Sequence, residues 1–467
     1  MTKKRTLIIL LLSVLLIVSH SSIAQTQTKK SLQELQQDFV DLRFGMFVHF
    51  NIPTFMDHDW ADPDASPALF NPTKLDCDQW AKAAKSANMT YGCLTTKHHS
   101  GFAIWDTKTT DYSVMNSPLK RDVVKEYVNA FRANGLKVML YFSILDTHHK
   151  LRKGQITQAH IKLVKDQLTE LLTNYGEITA LIIDGWDAPW SRISYDDIPF
   201  EEIYLLVKSL QPNCLLMDLN AAKYPADVLY YTDIKSYEQG AGQHIQKEAN
   251  RLPALSCLPI NPNWFWKTSF PSDKVKDPTT LVNNNIVPLN KAYCNFILNV
   301  APNRDGLIDF NAVAALKSIG KLWKHDGPLP KFPAEERPVI SSNLAKGKPS
   351  FSSWSDDMWI MDFANDDNFE TAWQSNPTVQ KPWFEVDLAK ETPFNMICVY
   401  AKDARIKKYR LKYLEKGVWK TIYEGGSTGN ANIHRFDTVW GGRVRIEIDE
   451  FTQPPSITEF GVFNERR

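Results

Sequence analysis

From Arg43 to about Gly327 short apolar runs alternate with amphipathic stretches, and this alternation constrains the fold more than any other feature of the chain. Apolar runs of strand length fall at Phe44–Phe50, Tyr91–Thr96, Lys137–Ser143, Ala180–Asp184, Cys214–Leu219, Val228–Ile234, Leu255–Ile260 and Phe296–Val300. Between them, helical patterns cover Leu75–Ala87, Val123–Asn134, Gln158–Asn174 and Phe200–Leu210, with Asn88, Gly135 and Pro212 as stop signals. Eight strands with intervening helices over about 290 residues predict a (β/α)8 barrel of the TIM type, whose chemistry sits at the C-terminal ends of the strands. The seventh run is the least regular, because Pro253 and Pro259 both disfavour ladder positions.

The pattern changes at a connector carrying Pro328, Pro330, Pro333 and Pro338, a composition that favours an extended spacer. Beyond it the helical period disappears. Runs such as Trp383–Leu388, Tyr409–Leu414 and Arg443–Ile448 alternate apolar with polar residues, as antiparallel strands of a sandwich do. The 467 residues therefore divide into a barrel over 25–328, a linker over 329–342 and an all-β sandwich over 343–467. Residues 1–24 read as a signal peptide: Lys3, Lys4 and Arg5, an apolar run from Leu7 to Val18, then Ser22-Ile23-Ala24 as a cleavage site. This predicts export to the periplasm or medium, with no membrane span after cleavage, since the run is shorter than the ~20 residues that cross a bilayer.

Lys and Arg number 54 against 53 Asp and Glu, so the chain lacks the basic surplus that phosphate backbones require, and nucleic acid is not expected as a partner. The 14 tryptophans lean toward carbohydrate, whose apolar ring faces pack on flat aromatic rings, although core packing accounts for many of them. Six cysteines (Cys77, Cys93, Cys214, Cys257, Cys294 and Cys398) lack the spacing of a zinc site and sit in apolar company, which predicts buried thiols.

Polar side chains at barrel strand ends face the mouth. The first strand ends in His49 and the second in Lys97, His98 and His99, followed by Trp105 and Asp106. The fourth ends in Asp184, Gly185, Trp186 and Asp187, and the stretch after the sixth holds Asp233, Tyr237 and Glu238. Imidazoles and carboxylates bind hydroxyls, tryptophans cover apolar faces, and two carboxyls can hydrolyse a glycosidic bond. Adjacent residues on a strand point to opposite faces, so at most one of His98 and His99 points inward unless the strand has ended; a metal-ligand or core role is the alternative. No cofactor or metal is expected.

The segment RFGMFVHF at 43–50 resembles the opening strand, RFGMFIHWG, of the family 29 α-L-fucosidases. TKHHSGFAIWD at 96–106 is similar to that family's KHHDGFCLW segment, and NFILNVAPNRDG at 295–306 to its closing NLLLNVPPNxDG strand. IGKLW at 319–323 is similar to the helix that follows. The resemblance implies a retaining exo-α-L-fucosidase acting on fucosylated oligosaccharides or glycoconjugates. His49, His98, His99, Trp105, Trp186 and Trp264 would bind the sugar. Asp184, in LIIDGW, occupies the place of the nucleophile in the family's WFDG-like strand end. Many relatives carry the acid/base in a segment like PAEVDVSIRPGWFYH, where this chain reads PALSCLPINPNWFW at 253–266, with Leu255 in place of the glutamate. Glu238, in a stretch similar to DVRWVGNE, is the nearest replacement; its alternative is a sugar-binding or structural group, and Glu248 is a weaker candidate. Phe50-Asn51 in place of Trp-Gly, and Ser100 in place of Asp, are expected to alter the pocket beside the sugar, which leaves an α-L-galactosidase open. The missing glutamate leaves open a silent glycan-binding barrel.

NLAKGKP at 343–349, DDNFETAW at 366–373 and WFEVDL at 383–388 are similar in kind and order to discoidin-like (coagulation factor 5/8 type C) domains. Loops at one end of such modules can bind sugars, and the acidic loop at Asp366 could hold a structural calcium.

Overall fold

A computed structural model describes residues 28–332, 337–426 and 428–466; the expected export signal lies outside them. Eight parallel strands form the first sheet: β1 (Phe44–Val48), β2 (Tyr91–Lys97), β3 (Lys137–Ser143), β4 (Ala180–Asp184), β5 (Leu215–Asp218), β6 (Lys235–Glu238), β7 (Ala254–Pro259) and β8 (Cys294–Asn299). Their order, β5-β4-β3-β2-β1-β8-β7-β6, is that of a barrel with one seam between β5 and β6. Helices α1 (Leu32–Asp41), α2 (Cys77–Ser86), α3 (Val123–Ala133), α4 (Gln158–Thr173) and α5 (Phe200–Leu210) belong to the same domain. No helix among the described residues is long and apolar enough to cross a membrane.

Strand alternation sorts the barrel residues into two cores. Phe47, Cys93, Met139, Tyr141, Ile182, Met217, Leu255 and Ile297 fill the interior, while Met46, Leu94, Leu140, Ile183 and Leu298 face the helices. Helix α1 supplies Leu35, Phe39 and Val40 to the interior core, and Asn295 Nδ2 donates to the Phe39 carbonyl at 2.8 Å, so α1 plugs one end of the barrel. Its start is fixed by a capping box between Ser31 and Glu34.

The seam is closed by a side chain. Asp233 donates its N–H to the Leu216 carbonyl at 2.8 Å, and its carboxylate accepts from the Leu216 N–H at 2.8 Å and from Lys208 Nζ at 2.7 Å. Asp233 is thus a structural group at the end of β6 away from the mouth.

The expected sixth strand, Val228–Ile234, is not a strand; β6 begins where it was expected to end. Its apolar residues are buried for another reason. Tyr230 bridges to Val339 of the connector, and its ring lies 5.9 Å from Tyr400 and 6.2 Å from Phe463 of the second domain. The true strand opens on Lys235, fully buried with Nζ donating to the carbonyls of Tyr224 (2.8 Å) and Pro225 (2.9 Å), a lysine that masks the apolar pattern. In β7, Pro253 precedes the first residue and Pro259 is the last, so neither interrupts the ladder.

The connector is not a free spacer in its described part. Phe332 joins the barrel's interior core beside Tyr293, and Val339 pairs with Tyr230. The second domain is an antiparallel sheet of seven strands, dominated by Trp383–Ala401, Ile406–Glu415 and Ala431–Phe451. Register shifts between Asp387 and Thr392 and between Phe394 and Met396 bend the long strands around a core that includes Trp373, Phe384, Val399, Leu411 and Ile446. All six cysteines are buried free thiols.

Candidate active site

The mouth of the barrel holds a cavity of about 180 Å³ lined by Phe47, His49, Asp59, Trp60, His98, His99, Tyr141, Asp184, Trp190, Leu219, Glu238, Trp264 and Phe265. This is below the roughly 300–1,000 Å³ of pockets for larger ligands and suits one monosaccharide ring.

Each polar group arrives by strand geometry. Asp184 continues the inward series Ala180, Ile182 on β4 and is 5% exposed. Glu238 continues the series Ile234, Ser236 and closes β6. Strand β2 ends at Lys97, which releases the next two residues from alternation, so both histidines reach the cavity, with ring centroids 3.8 Å apart. Lys97 itself turns away and is fully buried, with Nζ 3.2 Å from Asp146 Oδ2 and 2.9 Å from Gln167 Oε1. His49 Nδ1 is paired with Asn299 Oδ1 at 2.8 Å, and His99 Nδ1 with Ser143 Oγ at 2.8 Å.

The two carboxyls occupy different environments. Burial holds the Asp184 carboxyl above its usual range, and three hydrogen bonds that favour the anion oppose that shift: Tyr141 OH donates to Oδ2 at 2.6 Å, Asn220 Nδ2 donates to Oδ1 at 2.9 Å, and the Gly185 N–H adds a third. Tyr141 is held in its protonated, donating form by burial and by the Asp184 charge. Among the described residues Glu238 has one side-chain donor, Trp264 Nε1 at 3.2 Å. Burial, reinforced by the Asp184 charge, pushes it up to about 7 against that bond. The pocket therefore offers one carboxyl rich in donors that favour its anion and another, with a single donor, poised near neutrality to carry a proton, a separation that marks acid/base pairs.

Burial also lowers the imidazoles, His49 to about 4, His99 to about 3 and His98 well below the usual value. All three are neutral above those values, each ring with one donor and one acceptor nitrogen, the form that matches sugar hydroxyls. Trp264 and Phe265 flank His49, at centroid distances of 4.9 and 5.2 Å, and supply apolar faces. No group of three His, Cys, Asp or Glu suited to a metal ion occurs among the described residues.

Two expected sugar-binding residues are elsewhere. Trp105 is fully buried with Nε1 donating to Glu170 Oε2 on α4 at 2.8 Å. After Gly101 the chain folds back along β2, with Ala103 bridged to Lys97 and the Ile104 N–H on the Thr96 carbonyl, which carries Trp105 into the layer between barrel and helices. Trp186 is also fully buried, its Nε1 on the Ile198 carbonyl at 2.9 Å, because Gly185 at φ +110° turns the chain out of the mouth. Phe50, Asn51 and Ser100 do not line the cavity either; Asn51 caps its own loop through Ile52 N–H and the Phe102 carbonyl. Conversely, sequence reasoning missed Tyr141, Asp59, Trp60, Trp190, Phe265 and Asn220. Tyr141 was recoverable as an inward position two residues after Met139, whereas the loop residues carry no periodic signal.

Comparison with known proteins follows the same division of the chain. A family model described as alpha-L-fucosidase matches residues 56–328, and an F5/8 type C domain model matches residues 349–460. A protein of Oryza sativa subsp. japonica of the alpha-L-fucosidase 1 kind is 29% identical over 448 residues, covering 90% of this chain and 82% of the relative. Alpha-L-fucosidase 1 of Arabidopsis thaliana is 26% identical over 468 residues, covering 93% and 87%. The solved structure of alpha-L-fucosidase isoenzyme 1 from Paenibacillus thiaminolyticus superposes with a TM-score of 0.55 at 25% identity, covering 90% of this chain and 99% of that one.

Proposed function

The chain belongs to the α-L-fucosidase family, and from that premise we propose that its barrel pocket removes terminal α-L-fucose by double displacement, with Asp184 as nucleophile and Glu238 as acid/base. In the first step an Asp184 oxygen attacks C1 while Glu238 gives its proton to the departing glycosidic oxygen, leaving a fucosyl ester on Asp184. In the second step the Glu238 carboxylate takes a proton from water, whose oxygen attacks C1 from the vacated side and frees both fucose and Asp184. Two inversions return the α configuration. His49, His98 and His99 bind ring hydroxyls, and Trp264 and Phe265 cover the apolar face.

The observation that carries this reading is the opposed setting of the two carboxyls in one small cavity: three donors on Asp184, one on Glu238. Leu255 is buried in the barrel interior on β7, while Glu238 closes the adjacent strand at the mouth, which supports a transfer of the acid role by one strand. The small cavity favours exo action on a single terminal sugar.

A 4-nitrophenyl α-L-fucoside tests the reading. The protein is expected to release nitrophenol, and Asp184→Asn to lose on the order of 10⁴ or more in kcat; an active Asp184→Asn protein would remove Asp184 from this role. Export to the periplasm or medium rests on the Lys3–Ala24 pattern and predicts a mature N-terminus at Gln25, which mass spectrometry of the secreted protein would read. Glycan binding by the second domain is likewise a proposal, supported by its family match.

A further inference from the structure

The catalytic pocket is not the largest cavity of the described residues. A cleft of about 730 Å³ lies between barrel and second domain, fourfold the volume of the site at the mouth. From the barrel it takes Asp227 of the loop after β5, Tyr237 of β6 and Gln246 of the loop after β6; from the second domain it takes Phe369, Tyr400 and Asn430. Glu238 and Tyr237 are neighbours on one strand and therefore point to opposite faces, so the two cavities lie on opposite sides of the barrel wall. The cleft belongs to neither domain alone.

We infer that this cleft is a second binding site, for a neutral oligosaccharide of two or more rings, distinct from the fucose pocket. Four observations select that ligand class. The walls alternate aromatic rings with amide, carboxylate and hydroxyl groups, the mixture that covers sugar faces and binds sugar edges. The charges nearly cancel: the lining carries both Asp227 and Arg251, and Asp403 is paired with Arg405 at 2.9 Å, so no net field selects an ionic ligand. Tyr237 lines the cleft at 5% exposure, and its hydroxyl makes no hydrogen bond with the described residues. A tyrosine hydroxyl at the wall of a cleft can donate to and accept from a sugar hydroxyl. The volume lies in the range of roughly 300–1,000 Å³ found for sites that enclose ligands larger than one ring.

Binding at the cleft needs no turnover, so it is measured on the full-length protein with sugars that carry no fucose. Isothermal titration with lacto-N-tetraose, cellotetraose and xylotetraose, with free fucose in excess to fill the mouth, is expected to show binding of at least one of them at or below about 1 mM. Asn430→Ala and Phe369→Ala should weaken that binding roughly tenfold or more, and Tyr237→Phe, which removes only the hydroxyl, by several-fold. All three variants should retain hydrolysis of 4-nitrophenyl α-L-fucoside, which reports that they are folded. Absence of binding to all three sugars up to about 10 mM would overturn the inference. So would binding that the three variants leave unchanged, binding displaced by fucose, or binding confined to sialylated or sulfated sugars offered in parallel.

Discussion

Glu238 sets the pH behaviour of the site. Its carboxyl must be protonated to assist the leaving group, and it loses that proton near pH 7, so kcat/KM should fall as pH rises through about 7. Glu238→Ala should abolish this alkaline limb, lose about 10²–10⁴ on natural linkages and far less on an activated aryl fucoside, and regain turnover with azide. Equal losses on both substrates would reject the acid role. Trp264→Phe removes the one hydrogen bond that favours the Glu238 anion, so the alkaline limb should move to higher pH. The same group acts on stability with a definite sign. The folded state keeps its proton up to about 7 and the unfolded chain only to about 4.5, so stability declines as pH rises between these values, and Glu238→Gln should flatten the decline in a pH series of thermal melts.

The end of β2 shows how an element positions several residues at once. Lys97 and Asp146 form a fully buried ion pair, extended by His149 Nδ1 at 2.8 Å from Asp146 Oδ2, beneath the turn that presents His98 and His99. Gly101 closes that turn at φ +92°, and a Cβ there would lie 2.1 Å from Asp146 Oδ1. Asp146→Ala should cost about 3–5 kcal/mol in denaturant unfolding by stranding the Lys97 charge. Gly101→Ala should raise KM for the aryl fucoside by shifting the histidines. Much of this was legible: seven of the eight barrel strands fall where apolar runs are expected, and Asp184, His49 and Glu238 fall at strand ends. Trp105 and Trp186 were misread because position just after a strand end does not reveal which way the following turn departs. Helix α1 carried its capping box in plain view at Ser31 and Glu34, but a helix outside the alternating pattern has no place in a barrel count.

At the scale of the molecule, the run Val228–Ile234 was assigned to the wrong structure because its burial comes from another domain, something local periodicity cannot register. The aromatic contacts of Tyr230 with Tyr400 and Phe463, and the Arg466–Glu201 ion pair at 3.2 Å, couple the second domain to the wall that carries Glu238. Tyr230→Ala should cost about 3–5 kcal/mol and split the calorimetric unfolding into separate barrel and sandwich transitions. The account depends most on the bond between Asp184 and the sugar. Incubation with 2-deoxy-2-fluoro-α-L-fucosyl fluoride, whose fluorine slows release of the covalent intermediate, followed by mass spectrometry of the peptides, tests it directly. The account predicts a fluorofucosyl adduct on Asp184; an adduct on another carboxyl, or rapid hydrolysis with inversion at C1 and no adduct, would contradict it.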